Sequence, residues 1–444
     1  MTGTIKLSPE ERARLEKMVS ELLDEEQEEK QGIMDHLAKD SSGKVKESIE
    51  NCVTVLREDE LMRGKIALNL FTERVDIVES PGWERTTPTL TDTDVRYIRL
   101  YMESRYGLTK ERKIDDAIRI AANENRYHPI CGWLAGLEWD GEPRIAKALH
   151  KFLGAAEDRY TAEALKLFML GALNRVYEPG SKFEYMLCLV GKQGTGKSTF
   201  FRFLAGRDEW FSDDLRKLDD ENIYRKLQGH WIMEMSEMLG VGGSRNIEEI
   251  KAFLSKQKDT YKIPYDVHPQ DRLRQCVFGG TSNSMDMLPP DRTGNRRFLP
   301  VQTDPDNAET HILENENASR EYFTQMWAEA MTIYRSNDYK LVFPSELSET
   351  LRKVQREFTP EDVRAGEIQA WLDETKHSAV CSRMLYSEAL GHGTEEPRLC
   401  DLRAIKSIMD NSIEGWVSFS NPRTFPGYGR QRGWERVTEP YPFD

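Results

Sequence analysis

YMLCLVGKQGTGKS, residues 185–198, is the stretch from which the expected architecture of this chain follows. Tyr185 to Val190 is a short apolar run, the composition of a parallel strand buried on both faces. Gly191 to Ser198 follows at once and matches the spacing GxxxxGK[ST] at every fixed position. Thr199 to Ala205 is then apolar at helical intervals. A strand, a glycine-rich loop and a helix N-terminus in succession make a phosphate cradle. The glycines let backbone N–H groups face the anion, and the helix adds the positive end of its dipole. The expected nucleotide-binding residues are Gly191, Gln193, Gly194, Thr195, Gly196, Lys197, Ser198 and Thr199. Lys197 supplies a point charge to the β/γ-phosphates and Ser198 a hydroxyl to Mg²⁺, so ATP and Mg²⁺ are the expected cofactors.

Such a loop needs a carboxylate on a neighbouring strand. HWIMEM, residues 230–235, is the nearby apolar run that ends in acids, and it offers Glu234 and, three residues on, Glu237. Strand alternation favours Glu234 on the metal and Glu237 just beyond the strand as the base, although the residues alone leave the roles exchangeable. A third strand, QCVFGG at 275–280, runs into Thr281-Ser282-Asn283, whose terminal amide suits a lytic water. GNRRF, residues 294–298, leads into a further strand and offers Arg296 and Arg297 as phosphate-directed arginines from a neighbouring subunit.

Between the second and third strands lies KQKDTYKIPY, residues 256–265. It alternates cations and aromatics as a nucleic-acid-tracking ribbon does: Lys256, Lys258 and Lys262 for phosphates, Tyr261 for stacking. Towards the C-terminus, helical stretches at 360–375, 383–390 and 399–411 precede two strands at 416–420 and 433–437. The intervening loop carries Arg423, Arg430 and Arg432, so a winged-helix-like, nucleic-acid-binding domain is expected. Residues 8–40 read as an acidic helix opening at Ser8-Pro9-Glu10-Glu11, and 45–125 as mostly helical with a short β segment near 66–78. Asp92 and Asp94 read as the cap of a helix starting near Thr91. Residues 127–146 read as a packed connection and 146–178 as helical. The expected boundaries are 1–125 for a mostly helical N-terminal region, 126–180 for a helical connector, 181–345 for the ATPase and 360–444 for the C-terminal domain.

Net charge is −14 over 444 residues, which would argue against a nucleic-acid partner were it uniform. It is not. Residues 1–60 hold 16 acidic and 9 basic side chains, whereas 251–300 hold 9 Lys/Arg against 5 Asp/Glu. Local basic patches decide phosphate contact, so DNA remains an expected partner. No apolar run approaches the ~20 residues of a membrane span, and the acidic N-terminus does not read as a signal peptide. The six cysteines are scattered without a CxxC pair, which fits a reducing cytoplasm.

Taken in order, these motifs resemble the virulence-associated protein E family of phage, prophage and pathogenicity-island proteins. WDGEPR at Trp139–Arg144 and YGRQRGW at Tyr428–Trp434 look like that family too, and the resemblance runs from about residue 50 to the C-terminus. The family's motor is similar to superfamily 3 helicases, an AAA+ branch that assembles as hexamers round DNA. The resemblance implies Glu234 and/or Glu237 as Walker B acids, Asn283 as sensor 1, Arg296 or Arg297 as arginine finger, and a pore hairpin at 256–265. In one departure, two residues separate acids that are usually adjacent. The expected function is ATP-driven translocation on, or unwinding of, single-stranded or forked DNA in replication of a phage or mobile element. The main alternative is a non-translocating ATPase switch that loads or regulates a host replication protein; a separate primase is another possible partner. A small-molecule kinase explains neither the arginine pair nor the basic ribbon.

Overall fold

The computed structural model describes residues 9–215, 223–236, 244–261, 270–288, 295–360 and 362–437. The chain divides into two compact units, 1–140 with 224–230, and 141–223 with 231–444.

In the N-terminal unit, α1 (Pro9–His36) and α2 (Ile49–Glu58) precede a hairpin of β1 (Ile66–Asn69) and β2 (Arg74–Ile77). Next come α3 (Asp92–Tyr106), α4 (Glu111–Glu124), β3 (Arg126–Tyr127) and α5 (Pro129–Ala135). The sheet order is β2-β1-β3, with β1–β2 antiparallel and β1–β3 parallel. The unit extends past the expected boundary at 125 because β3 completes this sheet. Its core gathers Val55, Leu56, Ile66, Ile98, Met102, Ile114 and Ile118. Asp92 and Asp94 do begin a helix: Thr91 and Asp94 form a reciprocal capping box. The Asp94 carboxylate also takes Arg85 Nε and Trp83 Nε1, both at 2.8 Å. Burial alone would raise the Asp94 carboxyl, but these donors outweigh it and hold the group well below the usual carboxylate range.

The second unit opens with α6 (Ile145–Leu153) and α7 (Arg159–Tyr177), the latter capped by Asp158, whose carboxylate accepts from the Thr161 amide at 2.8 Å. The elements that follow are β4 (Met186–Val190), α8 (Lys197–Leu204), β5 (Phe211–Ser212), β6 (Ile232–Ser236) and α10 (Ser244–Leu254); α9 (Ile223–Leu227), between β5 and β6, is counted from Tyr224 onward with the N-terminal unit. A two-stranded antiparallel ribbon, β7 (Lys258–Tyr261) with β8 (Gln270–Leu273), leads into β9 (Val277–Ser282) and β10 (Phe298–Gln302). The central sheet has the order β10-β4-β9-β6-β5, and every neighbouring pair is parallel. With helices against it, this is an α/β fold. Burial on both faces explains why β4, β6, β9 and β10 read as mostly apolar runs without polar alternation, their polar residues being Glu234 and the strand ends. Helix α8 buries Phe200, Phe201 and Phe203: Phe200 and Phe203 meet Phe323 of α11 (Glu316–Ser336), Phe201 meets Phe168 of α7, and Trp327 of α11 lies against Trp231. The two indoles stack at 4.3 Å, and their N–H groups are satisfied by the carbonyls of Ala172 and Leu204.

After α12 (Ser348–Glu357), a separate apolar cluster forms around Ile368, Leu372, Leu385, Ile405 and Trp434. It is built from α13 (Val363–Glu374), β11 (Ala379–Cys381), a helical turn α14 (Ser382–Met384), α15 (Leu399–Asn411), β12 (Trp416–Phe425) and β13 (Gly429–Arg436). The sheet order is β11-β13-β12, antiparallel throughout. The strands are longer than expected, so Arg423 lies on β12 and Arg430 and Arg432 on β13, not on a loop. Nor do the three share a face. Arg423 is opposite Gln431, whereas Arg430 and Arg432 alternate onto the other side.

Candidate nucleotide site

The tips of three adjacent parallel strands, β4, β9 and β6, converge on one cleft of about 470 Å³. Gly191–Gly196 links β4 to α8 along its floor. Gly191 is required by a close approach: a Cβ there would fall 2.2 Å from Thr303 Oγ1 and 2.6 Å from the Thr303 carbonyl. Thr303 follows β10 and closes on the loop through its amide, which donates to the Val190 carbonyl at 2.7 Å. Gly196 precedes the helix with φ 86°, a left-handed conformation that a side chain would strain. Residues 193–196 and the α8 N-terminus thus line the same opening, an arrangement suited to an anion, while the Gly191 amide is used within the sheet, donating to the Ser282 carbonyl at 3.1 Å.

Lys197 is buried, and its ammonium donates to the carbonyls of Gly191 (2.7 Å) and Lys192 (2.8 Å) and to Asn283 Oδ1 (3.2 Å). Asn283 stands just past β9, which runs two residues beyond its expected end, through Thr281 and Ser282. Ser198 Oγ donates to Glu234 Oε1 at 2.8 Å. The same oxygen accepts from Ser236 Oγ at 3.0 Å and Thr281 Oγ1 at 2.5 Å, and Glu234 is 0% exposed. Its Oε2 is also buried and has no hydrogen-bond partner among the described residues. A carboxylate with one oxygen saturated by hydroxyls and the other unmatched, beside a serine hydroxyl, is a donor set that fits a hard divalent cation or its water. Among the described residues there is no cluster of three or more His, Cys, Asp or Glu that would hold a metal by itself. Such an ion would need phosphate and water ligands as well.

Lys197, Ser198, Glu234 and Asn283 are therefore brought together, with Gln193, Gly194, Thr195 and Thr199 along the same cleft. Glu237 lies outside the described residues. Reading the sequence missed Thr281, Ser236 and Thr303, which act through hydroxyls on strand ends, and His311 and Leu313, which line the cleft from the loop after β10. None of these positions carries a motif; only their register in the sheet reveals them.

Arg296 and Arg297 are not at this cleft. They precede β10, and the parallel register Phe298↔Met186 sets Arg297 level with Tyr185, at the opposite end of the sheet from Gly191. Six residues at ~3.3 Å each separate those levels, about 20 Å, further than an arginine side chain extends. The ribbon leaves from this same opposite end, between α10 and β9. Lys256 and Lys258 are exposed, and the Lys258 ammonium pairs with Asp271 on the facing strand. Tyr261 ends β7, and Lys262 lies outside the described residues. The ribbon's root is fixed by a buried pair: Arg274 Nε sits 2.7 Å from Asp259 Oδ2, and its guanidinium lies 4.3 Å from the Phe253 ring. In the C-terminal cluster Arg423 is held by Glu435 at 2.7 Å and lies over Phe419, while Arg430 and Arg432 are exposed. Among the described residues no helix is long and apolar enough to cross a membrane.

Fold and site together define an α/β protein with a glycine-rich loop between a strand and a helix at the tip of a parallel sheet. The chain belongs to the virulence-associated protein E-like family, whose domain matches residues 134–360. YGRQRGW at Tyr428–Trp434 lies beyond that match. Solved structures that resemble the chain include an apo form of the NrS-1 C-terminal region (305–718), at 15% identity and a TM-score of 0.44. Another is the A form of the same apo region, also at 15% identity, with a TM-score of 0.47. Each match covers 84% of this chain and 96% of the other. No curated protein matches the chain.

Proposed function

We propose that this protein is a P-loop ATPase of the AAA+ type whose hydrolysis drives movement on, or unwinding of, DNA during replication of a phage or mobile element. The observation that carries the reading is the separation of two half-sites. Lys197, Ser198, Glu234 and Asn283 surround the cleft, while Arg296 and Arg297 lie at the far end of the same sheet. An arginine that cannot serve its own cleft can serve a neighbour's, so a closed ring of identical subunits, a hexamer on family resemblance, supplies complete sites.

In this mechanism the loop amides and the Lys197 ammonium bind the β- and γ-phosphates. Ser198 and Glu234 would hold Mg²⁺, which when bound neutralises charge on the phosphate oxygens. Asn283, bonded to Lys197, orients water at the γ-phosphate, and Glu237 takes its proton. The neighbour's arginine stabilises charge in the transition state, worth about 10³–10⁵ in rate in other NTPases. The β7–β8 ribbon contacts DNA through Lys256, Lys258, Tyr261 and Lys262. The C-terminal helices and three-stranded sheet form a winged-helix-like module that presents Arg430 and Arg432, with Arg423 on its other face.

A second reading, a non-translocating ATPase switch acting on a replication protein, is favoured by the Lys258–Asp271 pair, which offsets one ribbon cation with an acid. Strand displacement on forked DNA with and without ATP, run beside mass measurement of the assembly, separates the two. ATP-dependent displacement by a particle several times 51.4 kDa supports the motor. Turnover without displacement or DNA stimulation rejects it for the switch.

A further inference from the structure

The arginine pair at 296–297 is not a pair of equals. Arg297 is 20% exposed and places Nη2 3.1 Å from Glu184 Oε2, whereas Arg296 is 70% exposed and only 3.6 Å from Glu184 Oε1. Their backbone is bonded on two sides. The buried Gln355 amide on α12 donates to the carbonyls of Asn295 and Phe298, each at 2.8 Å. The Arg297 carbonyl accepts from Met186 N at 2.8 Å. Arg296 is thus the side chain with reach, on a turn tied to α12 and β4 by these three bonds.

Glu184 also faces a third element. It stands in the leader into β4, and Ser255 Oγ, at the end of α10 where the ribbon departs, lies 3.1 Å from its Oε2. That hydroxyl hydrogen is shared with the Lys251 carbonyl at 2.8 Å. Burial would raise the Glu184 carboxyl, but Arg297, Ser255 and Lys182 outweigh it and hold it below its ordinary value. One half-buried carboxylate therefore touches the β4 leader, the arginine turn and the ribbon root. Such a group is short-range and poorly screened, unlike a surface ion pair.

We propose that Arg296 is the residue this subunit offers to its neighbour's nucleotide, and that Glu184 is a positioning residue that fastens Arg297 and the ribbon root into one piece, so that ribbon displacement on DNA moves Arg296. The inference rests on the trans-site reading above and adds its linkage. The mechanical part holds without nucleotide or DNA. Amide exchange across Lys256–Tyr261 in the full-length protein should be severalfold faster in Glu184→Gln than in wild type; equal rates would overturn the strut, whether or not the wild type hydrolyses ATP. The functional part is read as ratios. Arg296→Ala should keep nucleotide affinity, lose about 10³-fold or more in turnover, and recover part of it when mixed with Lys197→Ala protein, which still carries Arg296. Glu184→Gln should lose most of the ratio of turnover with single-stranded DNA to turnover without it, with Glu184→Asp intermediate. An Arg296→Ala protein with full turnover beside an inactive Arg297→Ala protein would reverse the assignment. An unchanged DNA ratio in Glu184→Gln would remove the linkage. Wild-type protein with no turnover at all would count against the motor reading, while the exchange result would still decide the strut.

Discussion

Replacing Glu234 with Gln isolates the carboxylate's charge while nearly preserving its shape. In the structure Oε1 accepts from three hydroxyls, those of Ser198, Ser236 and Thr281, and the Gln carbonyl can keep all three. What disappears is the charge, together with the buried, unmatched oxygen Oε2. The folded protein without nucleotide should therefore lose less than ~1 kcal/mol, since no hydroxyl donor is orphaned. Nucleotide binding should suffer more. One charge-assisted contact is worth about 1.5–3 kcal/mol, which weakens Mg·ATP by roughly 10- to 150-fold. At a concentration 100 times the wild-type Kd, ligand stabilises the wild type by about 2.7 kcal/mol. The same concentration should give the variant only about 0.3–1.4 kcal/mol. For a unit of this size 1 kcal/mol moves the midpoint by about 2–4 °C, so a wild-type shift of about 5–11 °C should fall to about 1–6 °C. Differential scanning fluorimetry with ATP, with and without Mg²⁺, reads this directly. A variant whose Mg-dependent shift equals that of the wild type would refute Glu234 as the metal-side acid, and a variant that unfolds without nucleotide would refute the packing argument.

Lys197→Ala should abolish ATP turnover, because the β/γ-phosphates then lack their point cation; near-wild-type hydrolysis would overturn the nucleotide site. Arg274→Ala should destabilise the second unit by about 3–5 kcal/mol, since Asp259 is left buried and unpaired, whereas Asp259→Asn with Arg274→Met should recover much of it; chemical denaturation measures both. Neutralising Lys256 or Lys262 should each lower the slope of log affinity against log salt for single-stranded DNA by about 0.7, while Tyr261→Ala should cost about 1–3 kcal/mol with the slope unchanged. Arg430→Ala with Arg432→Ala should reduce DNA affinity more than Arg423→Ala, which is already held by Glu435; equal losses would argue against the two-faced strand geometry.

The strands of the central sheet are legible in the sequence because burial on both faces leaves no polar alternation to confuse them. Their register is not. That Thr281 reaches Glu234, or that Arg297 stands level with Tyr185, depends on which strands are neighbours, and no local pattern encodes a strand order. The small N-terminal sheet was harder still: β3 is two residues long and pairs with a strand nearly sixty positions earlier. The C-terminal arginines were legible as a group but not as two faces, since a loop assignment hides alternation. Glu184 gave no signal at all, being a lone acid ahead of an apolar run.

The segment Tyr224–His230 lies between β5 and β6 yet is counted with the N-terminal unit. The chain therefore changes unit three times, after Asp140, after Ile223 and after His230. A vectorially synthesised chain meets this directly: its first unit has all its residues only once position 230 has left the ribosome, after residues 141–223 of the second unit have already been made. A fragment cut at Asp140 would be missing a piece of its own unit, and one beginning at Gly141 would carry that piece without its companions. A cleaner dissection would replace 224–230 by a short turn in the second unit and supply the segment to the first in trans as a peptide.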